Sequence, residues 1–227
     1  GRGGGSTPFA EGTAPGSAAN AYEVLGPTLS DQYEVGVKAT LWNRLDLNLA
    51  LFQIDRVNQY LDPSDNVYKQ DGREVHEGIE FYVSGKLLTN LTVVGGFTAF
   101  SAEVEEASGN PLIEGHTPVN VSECQARMYV EYELPRVPWL PGTLTVAAGA
   151  NYYGRRPVNV PNEDYIPATT TFDAGLRYQP TEDLTINFNV SNLLDEHYWA
   201  YYRSGSDGAG EDGLLLGDPR LFSASVK

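Results

Sequence analysis

Apolar and polar residues alternate along most of this chain with a period of two. In LTINFNV, Leu184, Ile186, Phe188 and Val190 fall on one side, and Thr185, Asn187 and Asn189 on the other. Successive side chains of a strand point to opposite faces, so the stretch reads as a β-strand with one apolar and one wet face. The pattern recurs in nine segments: 32–42, 45–55, 75–87, 91–100, 124–134, 144–153, 171–179, 184–193 and 220–227. No segment carries a convincing helical period.

The links between these segments have a rhythm of their own. Short ones (NR, LTN, PTED) alternate with long ones: VNQYLDPSDNVYKQDGRE, EEASGNPLIEGHTPVN, RRPVNVPNEDYIPA and the loop 195–219, with PRVPWLPGT intermediate. An up-and-down barrel in an outer membrane has short periplasmic turns and long external loops, whereas a soluble sandwich has no reason to keep that order. The two faces agree. The polar positions hold Thr, Asn, Ser, Gly and Tyr with scattered charges, suiting a wet lumen. The opposite positions are nearly free of charge, as lipid requires, because a charge at the midplane costs about 2–4 kcal/mol. The expected fold class is therefore all-β, an antiparallel transmembrane β-barrel.

Nine strands are an odd number, and two open edges in lipid are prohibitive. The segment is thus expected to be the C-terminal part of a larger barrel. With long loops external, residues 1–30 form an extracellular loop and 31–227 the strands. A soluble all-β binding module, for carbohydrate or another ligand, and a passive porin are the alternatives.

Composition narrows the field. Hydrophobic residues make up 41% of 227, so the chain is not disordered by composition, yet no run approaches a membrane helix. The net charge of −15 argues against nucleic acid, which needs a basic patch. Cys124, the single cysteine, has no internal disulfide partner. The start, GRGGGSTPFAEGTAPGSAAN, has neither the basic nor the apolar region of a signal peptide, so the chain reads as cytoplasmic or as an internal piece of a longer one.

Several stretches then resemble TonB-dependent siderophore receptors, in particular the ferrichrome or hydroxamate type. They are AANAYEVLGPTLSDQYEVGVK (18–38), HEGIEFYVSGKL (76–87), NVSNLLDEHYW and GDPRLFSASV (217–226). The most specific signal is N-V-x-N-L-x-D-x-x-Y followed by G-x-P-R. The resemblance implies nine strands of a 22-stranded barrel in the bacterial outer membrane. It implies import of a pre-formed iron(III)–siderophore complex, driven by TonB–ExbB–ExbD through a plug region. The plug, the earlier strands and the usual terminal aromatic residue are not in this sequence, so the implied activity belongs to the intact receptor. The partners implied are the ferric siderophore, TonB and lipid. No resident cofactor is needed, because the iron arrives coordinated.

For substrate contact the loop bases are the candidates: Tyr60 and Tyr68, then Tyr153, Arg155 and Arg156, then Trp199 and Tyr202. Aromatic rings offer flat area to a chelate, and arginine bonds its oxygens. The run Tyr198, Trp199, Tyr201 and Tyr202 also suits an interface girdle. The acidic loops are expected to favour a neutral or cationic hydroxamate complex over an anionic catecholate one. Metal sites find little support: His76, His116 and His197 are scattered, DPSDNVYKQDG lacks the closing Glu of a calcium loop, and GSDGAGEDG reads as an acidic tip. No catalytic set of Ser/His/Asp or Cys/His type has local support, so no enzyme is expected.

Overall fold

The computed structural model describes Ala14, residues 18–203 and residues 213–227. Thirteen strands follow in order: β1 (Ser30–Leu41), β2 (Leu45–Leu61), β3 (Tyr68–Leu88), β4 (Leu91–Glu106), β5 (Cys124–Glu133), β6 (Thr143–Tyr153), β7 (Arg156–Pro157), β8 (Tyr165–Ile166), β9 (Thr169–Thr181), β10 (Leu184–Ser191), β11 (Trp199–Arg203), β12 (Gly213–Leu216) and β13 (Leu221–Val226). Nine of them make one sheet, ordered β1-β2-β3-β4-β5-β6-β9-β10-β13, antiparallel at every step. They are the nine segments that the alternation marks. The four short strands pair off as β7–β8 and β11–β12 within the long links.

Register turns nine separate patterns into two continuous faces. One row reads Leu41, Leu45, Gly85, Val93, Val130, Ala148, Ala174, Val190 and Phe222 across the whole sheet. A row of the opposite face reads Lys86, Thr92, Glu131, Ala147, Gly175, Asn189 and Ser223. A slip of one residue at any step would put charges into the apolar band, so each register is strongly specified. The apolar side chains pack laterally, as Leu45, Val83 and Val93 do with Leu47, Phe81, Leu91 and Val130. Many others, including Leu49, Leu51, Phe97, Phe172 and Phe188, stay exposed. Water would penalise so broad an apolar face heavily, whereas lipid accepts it.

The band has an upper limit. Its last uncharged row across β2, β3 and β4 is Leu51, Ile79 and Ala99, and the next is Gln53, Glu77 and Ser101. Beyond it Arg73 donates from Nε to Asp55 at 2.8 Å and pairs with Glu105. A tilted strand crosses hydrocarbon in about 9–11 residues. At 17 and 21 residues, β2 and β3 overrun that length and stand beyond it as a hairpin. The expected 18-residue loop is consequently a six-residue turn, 62–67.

Asp62 closes this turn. It is 2% exposed, accepts from the Ser64 amide at 2.8 Å and the Ser64 hydroxyl at 2.7 Å, and is paired with Lys69. Those hydrogen bonds, the Lys69 one foremost, lower its pKa to about 2. The segment before β1 packs on the same hairpin: the Asn20 side chain donates to the Tyr68 carbonyl and accepts from its amide.

Candidate functional site

The seven candidate residues fall into two groups. Tyr60 and Tyr68 belong to the β2–β3 hairpin. Tyr60 is 5% exposed and packs with Val104, Ala107 and Ile113; its hydroxyl donates to Asp71 at 2.8 Å and accepts from the Gly109 amide at 2.9 Å. Both hydroxyl functions are occupied and the ring is covered, so Tyr60 supports the hairpin from inside. Tyr68 is partly buried and donates to Gln59 at 3.2 Å.

Tyr153, Arg155, Arg156, Trp199 and Tyr202 are drawn together on the other side by three interlocked links. Arg156, on β7, donates to the carbonyls of Ala200 (2.7 Å) and Trp199 (3.0 Å) on β11. Asn120, in the β4–β5 link, grips Tyr202 of the same strand, accepting from its amide at 3.0 Å and donating to its carbonyl at 2.8 Å. Asn162 joins the β6–β9 link to the β4–β5 link through both backbone groups of Thr117, at 2.8 and 2.9 Å. Asn120 and Asn162 have φ of 65° and 56°, a region in which Asn is enriched among non-glycine residues. Trp199 and Tyr202 thus sit on a paired strand braced from two sides, rather than at a simple strand end.

Cations and rings stack within this platform. Arg127, on the polar face of β5, has its Cζ 5.3 Å from the Tyr153 ring centroid and bonds the Tyr153 hydroxyl. Arg156 lies 6.0 Å from the same ring, and Arg155 lies 4.6 Å from that of Tyr165. Burial pushes the Arg156 guanidinium below its ordinary pKa, with Tyr198 opposing, and its Nε is buried with no partner. Below Arg127 a cleft of about 430 Å³ opens on the polar face, lined among others by Tyr82, Thr98, Gln125, Tyr129, Asn151 and Asp173.

The root of the β10–β13 link accounts for the most specific sequence signal. Asn192, 5% exposed with φ of 49°, donates to the carbonyls of Glu196 (2.9 Å) and Asp218 (3.1 Å) and accepts from the Glu196 amide (2.9 Å). Asp195 accepts from the Arg220 amide at 3.1 Å and pairs with its guanidinium at 3.6 Å. The Gly217 amide donates to the Tyr198 carbonyl at 2.8 Å, and a Cβ on Gly217 would collide with the Tyr198 ring. Asn192, Asp195 and Tyr198 from one side therefore meet Gly217 and Arg220 from the other, as a clasp.

Among the described residues no group of three or more His, Cys, Asp and Glu side chains is placed to hold a metal. The GSDGAGEDG stretch lies almost wholly outside the described residues.

Comparison with known proteins gives the same picture. The family model described as "TonB dependent receptor-like, beta-barrel" matches residues 1–193. The ferrichrome receptor FcuA of Yersinia enterocolitica is 31% identical, over 91% of this chain and 26% of that protein. The metal-pseudopaline receptor CntO of Pseudomonas aeruginosa is also 31% identical, over 86% of this chain and 27% of that protein. Among solved structures, the ferric preacinetobactin receptor BauA of Acinetobacter baumannii superimposes with a TM-score of 0.75 at 30% identity, covering 94% of this chain and 31% of BauA. The chain thus spans about a quarter of the curated relatives it matches. Its two-faced nine-stranded sheet, its clasped outer link and these matches together place it in the TonB-dependent receptor family, as a portion of a β-barrel of the Gram-negative outer membrane.

Proposed function

We propose that this chain is part of the wall and outer vestibule of a receptor that imports ferric siderophores, with energy supplied by TonB–ExbB–ExbD through a plug region outside it. Residues 1–30 lead into β1 on the cell surface, and 31–227 form the wall. The receptors it resembles are named for ferrichrome, metal–pseudopaline and ferric preacinetobactin, all metal complexes of small organic chelators. The reading is carried by the continuous apolar band. The band supports a place in the membrane, and the longer links gather at one end, which this reading takes as the outer one. There the braced platform of Tyr153, Arg155, Arg156, Trp199 and Tyr202 would meet an incoming chelate. Tyr68, on the separate β2–β3 hairpin, is proposed as a further contact, with Tyr60 supporting that hairpin from inside.

The test is uptake of radio-iron chelates by iron-starved cells, with and without the gene for the complete receptor, in TonB-competent and TonB-deficient backgrounds. Uptake that requires both gene and TonB is expected. Equal uptake in all four strains would sink the proposal, and uptake needing the gene without TonB would leave a passive porin.

A further inference from the structure

β11 and β12 make a sheet of two short strands, five and four residues long, separate from the nine-stranded sheet. A lone two-stranded hairpin is marginally stable in water, and a third strand or a packed face is needed to keep it folded. Apolar packing does not meet that need here, because Trp199, Tyr201, Leu214, Leu215 and Leu216 are all exposed. The edge of β11 away from β12 is where a third strand would lie, and among the described residues no strand occupies it. Two side chains do. In an antiparallel pair every second residue turns its amide and carbonyl away from the partner strand. Tyr202 gives both groups to Asn120, at 3.0 and 2.8 Å. Two residues back, Ala200 accepts from Arg156 Nη1 at 2.7 Å, and the Trp199 carbonyl accepts from Nη2 at 3.0 Å.

An asparagine side chain presents a carbonyl and an amide nitrogen side by side, the same pair of functions that a strand residue presents. The two substitutes are themselves joined. The Asn120 backbone amide donates at 2.9 Å to the carbonyl of Pro157, which follows Arg156 in β7 and is fully buried. Asn162 ties Thr117, three residues before Asn120, to the same β6–β9 link. Both terminal nitrogens of Arg156 donate to β11 and its Nε is buried. An arginine whose type suggests a ligand contact is therefore turned largely towards its own protein.

We infer that Asn120 and Arg156 are positioning residues that stand in for a third strand along β11, so that Trp199 and Tyr202 are held in place before any ligand arrives. The hairpin and the two links that grip it then open as one unit instead of separately. A contact face ordered in advance loses less conformational freedom on binding. That the held face meets a chelate rests on the uptake reading above; that it is held does not.

Hydrogen exchange of the complete receptor in lipid nanodiscs, without ligand, tests this at β12, whose amides neither side chain touches. In the wild type the 213–216 peptide should exchange well below its unstructured rate. Asn120→Gly suits the φ of 65° and removes the side chain alone. It should speed exchange of that peptide about thirtyfold, as the loss of two hydrogen bonds of ordinary strength implies. Arg156→Met keeps the apolar stem and should do at least as much, because the bonds it removes are charge-assisted. The double variant should bring β12 to the unstructured rate while β2 and β3 peptides stay as they were. Acceleration confined to 199–203, with β12 unchanged, would overturn the inference. So would a wild-type β12 already at the unstructured rate, a result that needs no variant to assemble. Neither outcome touches the uptake reading, which the radio-iron experiment decides by itself.

Discussion

Replacing Asn192 with alanine removes the hub of the clasp and tests whether the family's most specific motif is a structural device. The Asn192 side chain makes three hydrogen bonds, two donated to the carbonyls of Glu196 and Asp218 and one accepted from the Glu196 amide. At about 1 kcal/mol net each, their loss weakens the link root by about 3 kcal/mol. Alanine must also hold a φ of 49°, which adds about 1 kcal/mol. Asn192→Gly removes the same bonds without that strain, so about 3 kcal/mol against about 4 is the expected split. At a factor of ten per 1.4 kcal/mol, amides of 192–198 and 213–221 should open about 150-fold more often in the glycine variant, and several hundredfold in the alanine variant. Hydrogen exchange with mass spectrometry on the complete receptor in lipid nanodiscs reads this directly, with β2 and β3 peptides as an internal control. Protection unchanged within twofold in both variants would refute the hub. Identical losses in the two would refute the strain argument alone.

Three further outcomes follow from the geometry. Phe81→Arg, inside the apolar band, should destabilise refolding into vesicles by about 2–4 kcal/mol in urea titrations, whereas Tyr82→Arg, one residue along on the polar face, should cost well under half of that; equal costs would contradict the assignment of faces. The depressed pKa of Asp62, about 2, lies below its unfolded value near 3.9, so its contribution to the 62–67 turn is fully present above pH ~4 and is lost as the pH falls towards 2. Exchange of the Ser64 amide, which donates to Asp62, should therefore be flat from pH 5 to 8 after intrinsic-rate correction and accelerate below ~4, and in Asp62→Asn that acid step should vanish. Gly217→Ala drives a methyl into the Tyr198 ring and should cost about 1–3 kcal/mol by overpacking, read as a lower thermal midpoint of the link in the same exchange experiment.

The membrane-embedded parts were the legible parts of the sequence. Lipid on one side and a wet interior on the other impose a strict period of two, and all nine sheet strands follow from it. Beyond the bilayer that pressure stops. The upper halves of β2 and β3 are bounded by Asp55, Arg73 and Glu105 instead of by apolar side chains, so the sequence reads there as loop although the ladder continues. The short strands β7, β8, β11 and β12 form through contacts between links far apart in sequence, such as Asn120 with Tyr202, which no local pattern announces. Residue type located the platform through Tyr153, Arg155, Arg156, Trp199 and Tyr202. It missed Arg127, which looks like any polar-face strand residue until Tyr153 arrives above it, and it could not foresee that Tyr60 would be enclosed by the β4–β5 link.

The clasp at the root of the β10–β13 link has one more consequence. Asn192 and Asp195 settle how the chain leaves the wall and returns to it, by bonding the far side of the link instead of anything at its crest. Changes of length or composition beyond the fastening therefore leave the strands below untouched. A wall fastened in this way can vary what it carries beyond the membrane while its own strands keep their register.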